Sequence, residues 1–157
     1  MGATSGPEPF GDTFVAMAGA RAIITATRLG VFGSLAEQHA TAAVLASRLA
    51  LSAAGVEALL TALVTLGYLE VDGSGVHRPT GAGMALVAGA EGSVASFIGG
   101  YNEHAWEMLG HLDELLRGER PAESHATAPD DPFWESYIRG LYELTRGEHE
   151  ENAKRIP

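Results

Sequence analysis

The 157-residue chain contains no cysteine. That excludes a disulfide framework, a thiolate metal site and a cysteine nucleophile, and it fits a cytosolic protein. Basic residues are scarce: 10 Lys and Arg stand against 20 Asp and Glu, a formal net charge of -10. Such a balance disfavours a polyanionic partner or an anionic membrane surface. No apolar run approaches the roughly 18 uninterrupted residues that a membrane span requires. The opening MGATSGPEPFGD also lacks the basic residues and apolar run of a signal peptide. The expectation is a soluble, cytoplasmic chain with no nucleic-acid or membrane partner.

What is present is 46% hydrophobic residues and 19% charged ones, the composition of a globular protein with room for one domain and some extra helices. Residues 1–11, rich in Gly, Pro and Ser, look like a disordered lead-in. Asp12 or Thr13 then caps a helix that carries Phe14, Met17, Ala20, Ile24 and Thr27 and stops at Gly30. A helix so apolar on several sides lies in the centre of the domain or meets another subunit. A short helical turn is expected near 34–38, a second helix from the Thr41 cap through Leu49, and a third after Ser52. The third places Val56, Leu59, Leu60, Leu63 and Val64 on one stripe before Gly67 ends it. Tyr68–Val71 and Val76–Arg78 flank Asp72-Gly-Ser-Gly75, a turn suited to a small hairpin. The fold class is therefore mainly α: a winged helix-turn-helix with a small β-hairpin wing over 12–90, and additional long helices over 91–157.

Thr80 begins a short helix expected to run through Val87. From Ser93 to about Arg117 the apolar residues Val94, Phe97, Ile98, Tyr101, Met108, Leu112 and Leu115 keep a helical period, which predicts one long helix with a face buried along its whole length. Residues 118–131 read as a loop. Asp131 caps a last helix with Pro132 at its first position and Phe133, Tyr137, Ile138, Leu141 and Leu144 inward.

Reading DNA with the third helix needs Arg, Lys, Asn or Gln on its outer face and cations nearby. Its outer residues are Ala, Thr and Glu57, and the wing carries Asp72 and one cation, Arg78. The pieces Gly73-Ser-Gly75 and Gly81-Ala-Gly83 suggest a phosphate loop, but a dinucleotide or adenosyl loop lies between a buried strand and a helix; here they read as turns. His104, Glu107 and His111 share a helix face without a complete ligand set, which reads as surface rather than a metal site. There is no GxSxG elbow, and no catalytic residue is assigned. Phe97, Tyr101, Phe133, Trp134, Tyr137 and Tyr142 suit the wall of a pocket for a flat organic molecule. From spacing alone, ordinary helix–helix core is the favoured alternative.

The order of features resembles the N-terminal part of small-molecule S-adenosylmethionine-dependent O-methyltransferases. RLGVFGSLAEQHATAAVLASRLALSAAGVEALLTALVTLGYLEVDGSGVHRPTGAG resembles that family's winged-helix dimerisation domain, NEHAWEMLGHLDELLRGERP its Trp-bearing helix, and DPFWESYIRGL the helix before its catalytic domain. The resemblance covers nearly the whole chain after about Phe10. It implies an intertwined homodimer and a Rossmann-like catalytic domain, in cis or as a separate subunit, that would hold S-adenosylmethionine and the general base; no cofactor or metal is assigned to this chain. It also implies a small aromatic or polyketide-like acceptor. By motif position Phe133, Tyr137 and Leu141 match acceptor-contacting residues; with Phe97 and Tyr101 they make up the expected substrate wall, while Trp106 matches a position of packing. The chain is then the dimerisation and acceptor-binding portion of an O-methyltransferase, not catalytic alone. The alternatives are a winged-helix transcriptional regulator or a stand-alone small-molecule binder.

Overall fold

A computed structural model describes residues 9–120 and 128–153, with side chains over 11–120 and 128–146. The chain divides into two compact units that part between Gly83 and Met84.

The first unit opens with α1 (Pro9–Arg28), which starts ahead of the expected Asp12 or Thr13 cap. Proline suits a first helical position, because the N–H it lacks has no intrahelical partner there. The lead-in expected over 1–11 otherwise falls on residues 1–8, outside the described ones. Three helices follow, α2 (Val31–Glu37), α3 (Ala42–Arg48) and α4 (Ala53–Thr65). Gly30 lies between α1 and α2 at φ 71, and Gly67 after α4 at φ 79, left-handed conformations in which a Cβ would be strained. Ser52 caps α4 by accepting from Gly55 N at 3.4 Å.

The stripe on α4 turns inward as its spacing predicts. Val56, Leu60 and Leu63 are buried with Val31, Phe32, Leu35, Leu45 and Leu69, and the Phe32 and Tyr68 rings lie 6.2 Å apart. Arg48 on α3 reaches across this core's edge to the end of α2. Its Nη1 donates to Ser34 O at 2.8 Å, which also accepts from Gln38 N, and to Gln38 O at 2.9 Å, so a cation sits at the C-terminal end of α2, where the helix dipole favours it.

The hairpin pairs β1 (Leu69–Val71) antiparallel with β2 (His77–Pro79), Glu70 facing Arg78. Those two side chains meet at 2.9 Å. Each favours the other's charged form, which lowers the Glu70 carboxyl below its ordinary value and raises Arg78. At the tip, Asp72 accepts from the Ser74 hydroxyl at 2.6 Å, from Ser74 N at 2.8 Å and from Val76 N at 3.1 Å. These bonds, the hydroxyl first, lower its carboxyl from the ordinary 3.8. A depressed carboxylate contributes stability that is present above the unfolded-state value and lost as pH falls through the folded one. The hairpin tip is therefore expected to loosen only below pH 3.8. An NMR titration should place the Asp72 midpoint under that value, and Asp72→Asn should abolish the transition.

The helix expected from Thr80 to Val87 is shorter. Only α5 (Gly81–Met84) forms, and turns take over towards Gly89 and Gly92, both at positive φ. The Thr80 hydroxyl accepts from Gly83 N at 3.3 Å and lies 2.8 Å from Gly67 O. A Cβ on Gly83 would stand 2.2 Å from Tyr68 O, so only glycine lets the chain pass there.

In the second unit the single long helix expected from Ser93 to Arg117 is corrected. A π-turn (Phe97–Tyr101) leads into α6 (Asn102–Gly110), His111 breaks the helix at φ -111, and α7 (Leu112–Arg117) follows. Residues 97–117 bury no side chain completely. The Gly99-Gly100 pair inside the π-turn and Gly110 before the break are the poor helix formers that an apolar period does not register. The expected loop 118–131 lies partly outside the described residues. Asp131 caps α8 (Phe133–Ala153) by accepting from Phe133 N at 2.8 Å. Of the residues expected inward on α8, Ile138 is 61% exposed, Leu144 48% and Leu141 39%; Phe133 and Tyr137 are half-buried, and Gly140, which was not among them, is buried.

Candidate functional site

Two features stand apart from ordinary core, one in each unit. In the first, α1 and α4 leave an apolar face open. Phe14 is 54% exposed, Val15 65% and Met17 48%. Two grooves run along this face, of about 260 and about 730 Å³, and Val15, Gly19 and Leu66 line both. Gly19 brings the two helices together: a Cβ there would lie 3.3 Å from the Leu66 side chain. Exposed apolar patches of this kind mark sites of association.

In the second unit the structure gathers five of the six aromatic residues that spacing singles out, all but Tyr142. Phe97 and Tyr101 stack at 5.3 Å and 15°. Tyr101 meets Tyr137 at 5.7 Å, Tyr137 meets Phe133 at 5.5 Å, and Trp134 closes edge-on against Tyr137 at 5.8 Å. The rings are half-buried, and Trp134 Nε1 donates to Ala128 O at 2.9 Å. Leu141 is 39% exposed and Tyr142 65%. His104, weighed above as a metal ligand, lies with its ring 4.3 Å from that of Phe133, while His111 pairs with Glu114 at 3.2 Å. Among the described residues no three His, Asp or Glu groups converge on a common point. Chemically, this arrangement offers ring faces and phenol tips, which suit the binding and orientation of a flat molecule.

Sequence reasoning missed Glu143, which accepts from Phe97 N at 2.9 Å across 46 positions, and the glycines Gly100 and Gly140, at which α8 and the π-turn approach each other. The glycines gave a signal, since Gly inside a helical pattern often marks close backbone approach; Glu143 gave none. On α4 the outward residues are Ala53, Ala54, Glu57, Ala58, Thr61 and Thr65, and the nearby cation Arg78 is paired with Glu70.

The model of the O-methyltransferase dimerisation domain matches residues 13–89. A search of curated proteins finds no match. Among solved structures, human N-acetylserotonin methyltransferase in complex with SAM is similar at TM-score 0.76 and 23% identity, over 92% of this chain and 48% of that one. N,N-8-amino-8-demethyl-D-riboflavin dimethyltransferase from Streptomyces davawensis gives 0.70 and 18%, over 86% and 44%. An O-methyltransferase from neocarzinostatin biosynthesis, in complex with S-adenosylmethionine and 2-hydroxy-5-methyl naphthoic acid, gives 0.67 and 23%, over 92% and 46%. The chain thus spans less than half the length of these three enzymes. The glycine pieces do not fit an adenosyl loop: Gly73 and Gly75 lie in the hairpin turn and Gly81 and Gly83 in α5, none between a buried strand and a helix.

Proposed function

We propose that this chain, which belongs to the O-methyltransferase dimerisation family through residues 13–89, is the homodimerising and acceptor-binding portion of a cytoplasmic small-molecule O-methyltransferase. The observation that carries the first part is the open apolar face of α1 and α4, with Val15 65% exposed inside the matched segment. A second copy covers that face by two-fold symmetry, so each α1 meets the same patch on its partner. In this reading the hairpin is a wing used for packing, not a DNA probe.

The second part rests on the ring cluster. Methyl transfer to a phenolic or enolic oxygen is an in-line displacement, for which the protein must align donor and acceptor and remove a proton. Phe97, Tyr101, Phe133 and Tyr137 supply one wall of the acceptor site, with Leu141 at its margin. S-adenosylmethionine and the general base belong to a catalytic domain, in cis or as a separate subunit, and the chain does not transfer methyl groups by itself. The acceptor is a small aromatic or polyketide-like natural product.

Quenching of tryptophan emission by 2-hydroxy-5-methyl naphthoic acid, the ligand of one structural neighbour, tests the wall. Saturable quenching is expected in the wild type. Tyr137→Ala, which removes the ring shared by Tyr101, Phe133 and Trp134, should weaken it about tenfold, as loss of about 1.4 kcal/mol of aromatic contact implies. Binding unaffected by that substitution would move the acceptor elsewhere.

A further inference from the structure

The opening turn of a helix leaves backbone N–H donors without intrahelical partners. The segment that enters the π-turn meets this need in two ways. The buried Ser93 hydroxyl accepts from Ala95 N at 3.1 Å, a local cap of the ordinary kind. Phe97 N instead donates to Glu143 Oε2 on α8 at 2.9 Å. A carboxylate there gains from the helix dipole as well as from the hydrogen bond.

The reach is possible because the two elements approach closely at two glycines, Gly140 against the Phe97 backbone and Gly100 against the Ser136 side chain. A Cβ on Gly140 would sit 3.0 Å from Phe97 Cα, and one on Gly100 would sit 2.8 Å from Ser136 Cβ. Phe97 is therefore held at its own backbone. Its ring lies on Tyr101 at an interplanar angle of 15°, and Tyr101 in turn meets Tyr137 of α8, so the carboxylate and the ring contacts join the same two elements at both ends.

We infer that Glu143 is a positioning residue: by holding the Phe97 amide against α8, its carboxylate sets the Phe97–Tyr101 ring pair as one rigid face of the acceptor wall. The ligand in this inference rests on the acceptor reading above; the positioning does not. Glu143→Leu keeps bulk and removes the acceptor oxygen, whereas Glu143→Gln keeps one. In the full chain, hydrogen exchange of the Phe97 amide should quicken at least about tenfold in the Leu variant, the ratio that matches loss of one charge-assisted hydrogen bond. The ring-to-ring NOE between Phe97 and Tyr101 should fade with it, and the naphthoic acid should bind at least about tenfold more weakly. The Gln variant should stay close to wild type in all three, which a loss of mere bulk or fold would not explain. A folded Leu variant with wild-type Phe97 exchange and an intact NOE overturns the inference. If the Leu variant does not fold, the wild type decides: a slowly exchanging Phe97 amide supports the bond, and one that exchanges as fast as an unstructured amide overturns it. If the wild type ignores the naphthoic acid while the Leu variant still loses Phe97 protection, the positioning stands and the acceptor reading falls.

Discussion

Val15→Asp is expected to turn an associating chain into single copies while each copy keeps its helices. Val15 lines both grooves on the α1/α4 face and is 65% exposed within its own chain. A change at so open a position costs the isolated fold no more than about 0.5 kcal/mol. In a two-fold interface the same change occurs on both sides. Each copy forfeits about 1.5 kcal/mol of valine burial, and each brings a carboxylate into an apolar contact, where desolvation costs several kcal/mol more. The sum exceeds the roughly 4 kcal/mol that corresponds to a thousandfold change in affinity. Sedimentation velocity over a dilution series should show the dissociation constant rise at least that far, with the far-UV spectrum still helical. Unaltered association would mean that the copies meet somewhere other than α1.

Phe32→Ala tests the core on which that face is mounted. Phe32 has no exposed surface, and neither do its core companions Leu35, Leu45 and Leu63. Emptying such a site removes the transfer free energy of the ring and leaves a cavity, together about 3–5 kcal/mol. Domains of this kind have only about 5–15 kcal/mol in total, so the variant should unfold at much lower urea. Phe32→Leu, which refills part of the space, should recover a good share. A loss under about 1 kcal/mol for the alanine variant would show that the ring is not packed as described.

The parts of this fold that could be read from sequence are those whose causes are local. Ser52 capping α4, the left-handed Gly67 that stops it, and the Asp72-Gly-Ser-Gly75 turn each act within a few residues, and the structure has all three. The α4 stripe was legible for the same reason, since a period of 3.6 puts Val56, Leu60 and Leu63 on one side. The long helix was not. Its apolar period passes unbroken through Gly100 and Gly110, yet backbone preference there yields a π-turn and a break. For α1, an apolar surface on several sides pointed to both core and a second copy without saying which residues serve which; Ile24 and Ala26 are buried, while Phe14 is 54% exposed.

The ring cluster lies between these cases. Spacing assembled Phe97, Tyr101, Phe133 and Tyr137, because i to i+4 positions on two helices face alike. Their half-buried state was not legible, since it depends on how closely α8 and the π-turn approach at Gly100 and Gly140. Glu143 lies beyond any local pattern: its partner is 46 positions away, and only the folded chain brings a carboxylate to the Phe97 amide.

The central claim, that this chain associates with its own copies through α1, is tested most directly by its mass in solution. Sedimentation equilibrium at micromolar concentration should give a particle of twice 16.4 kDa that reverts to a single copy in Val15→Asp. A wild-type particle of 16.4 kDa at every concentration would contradict it.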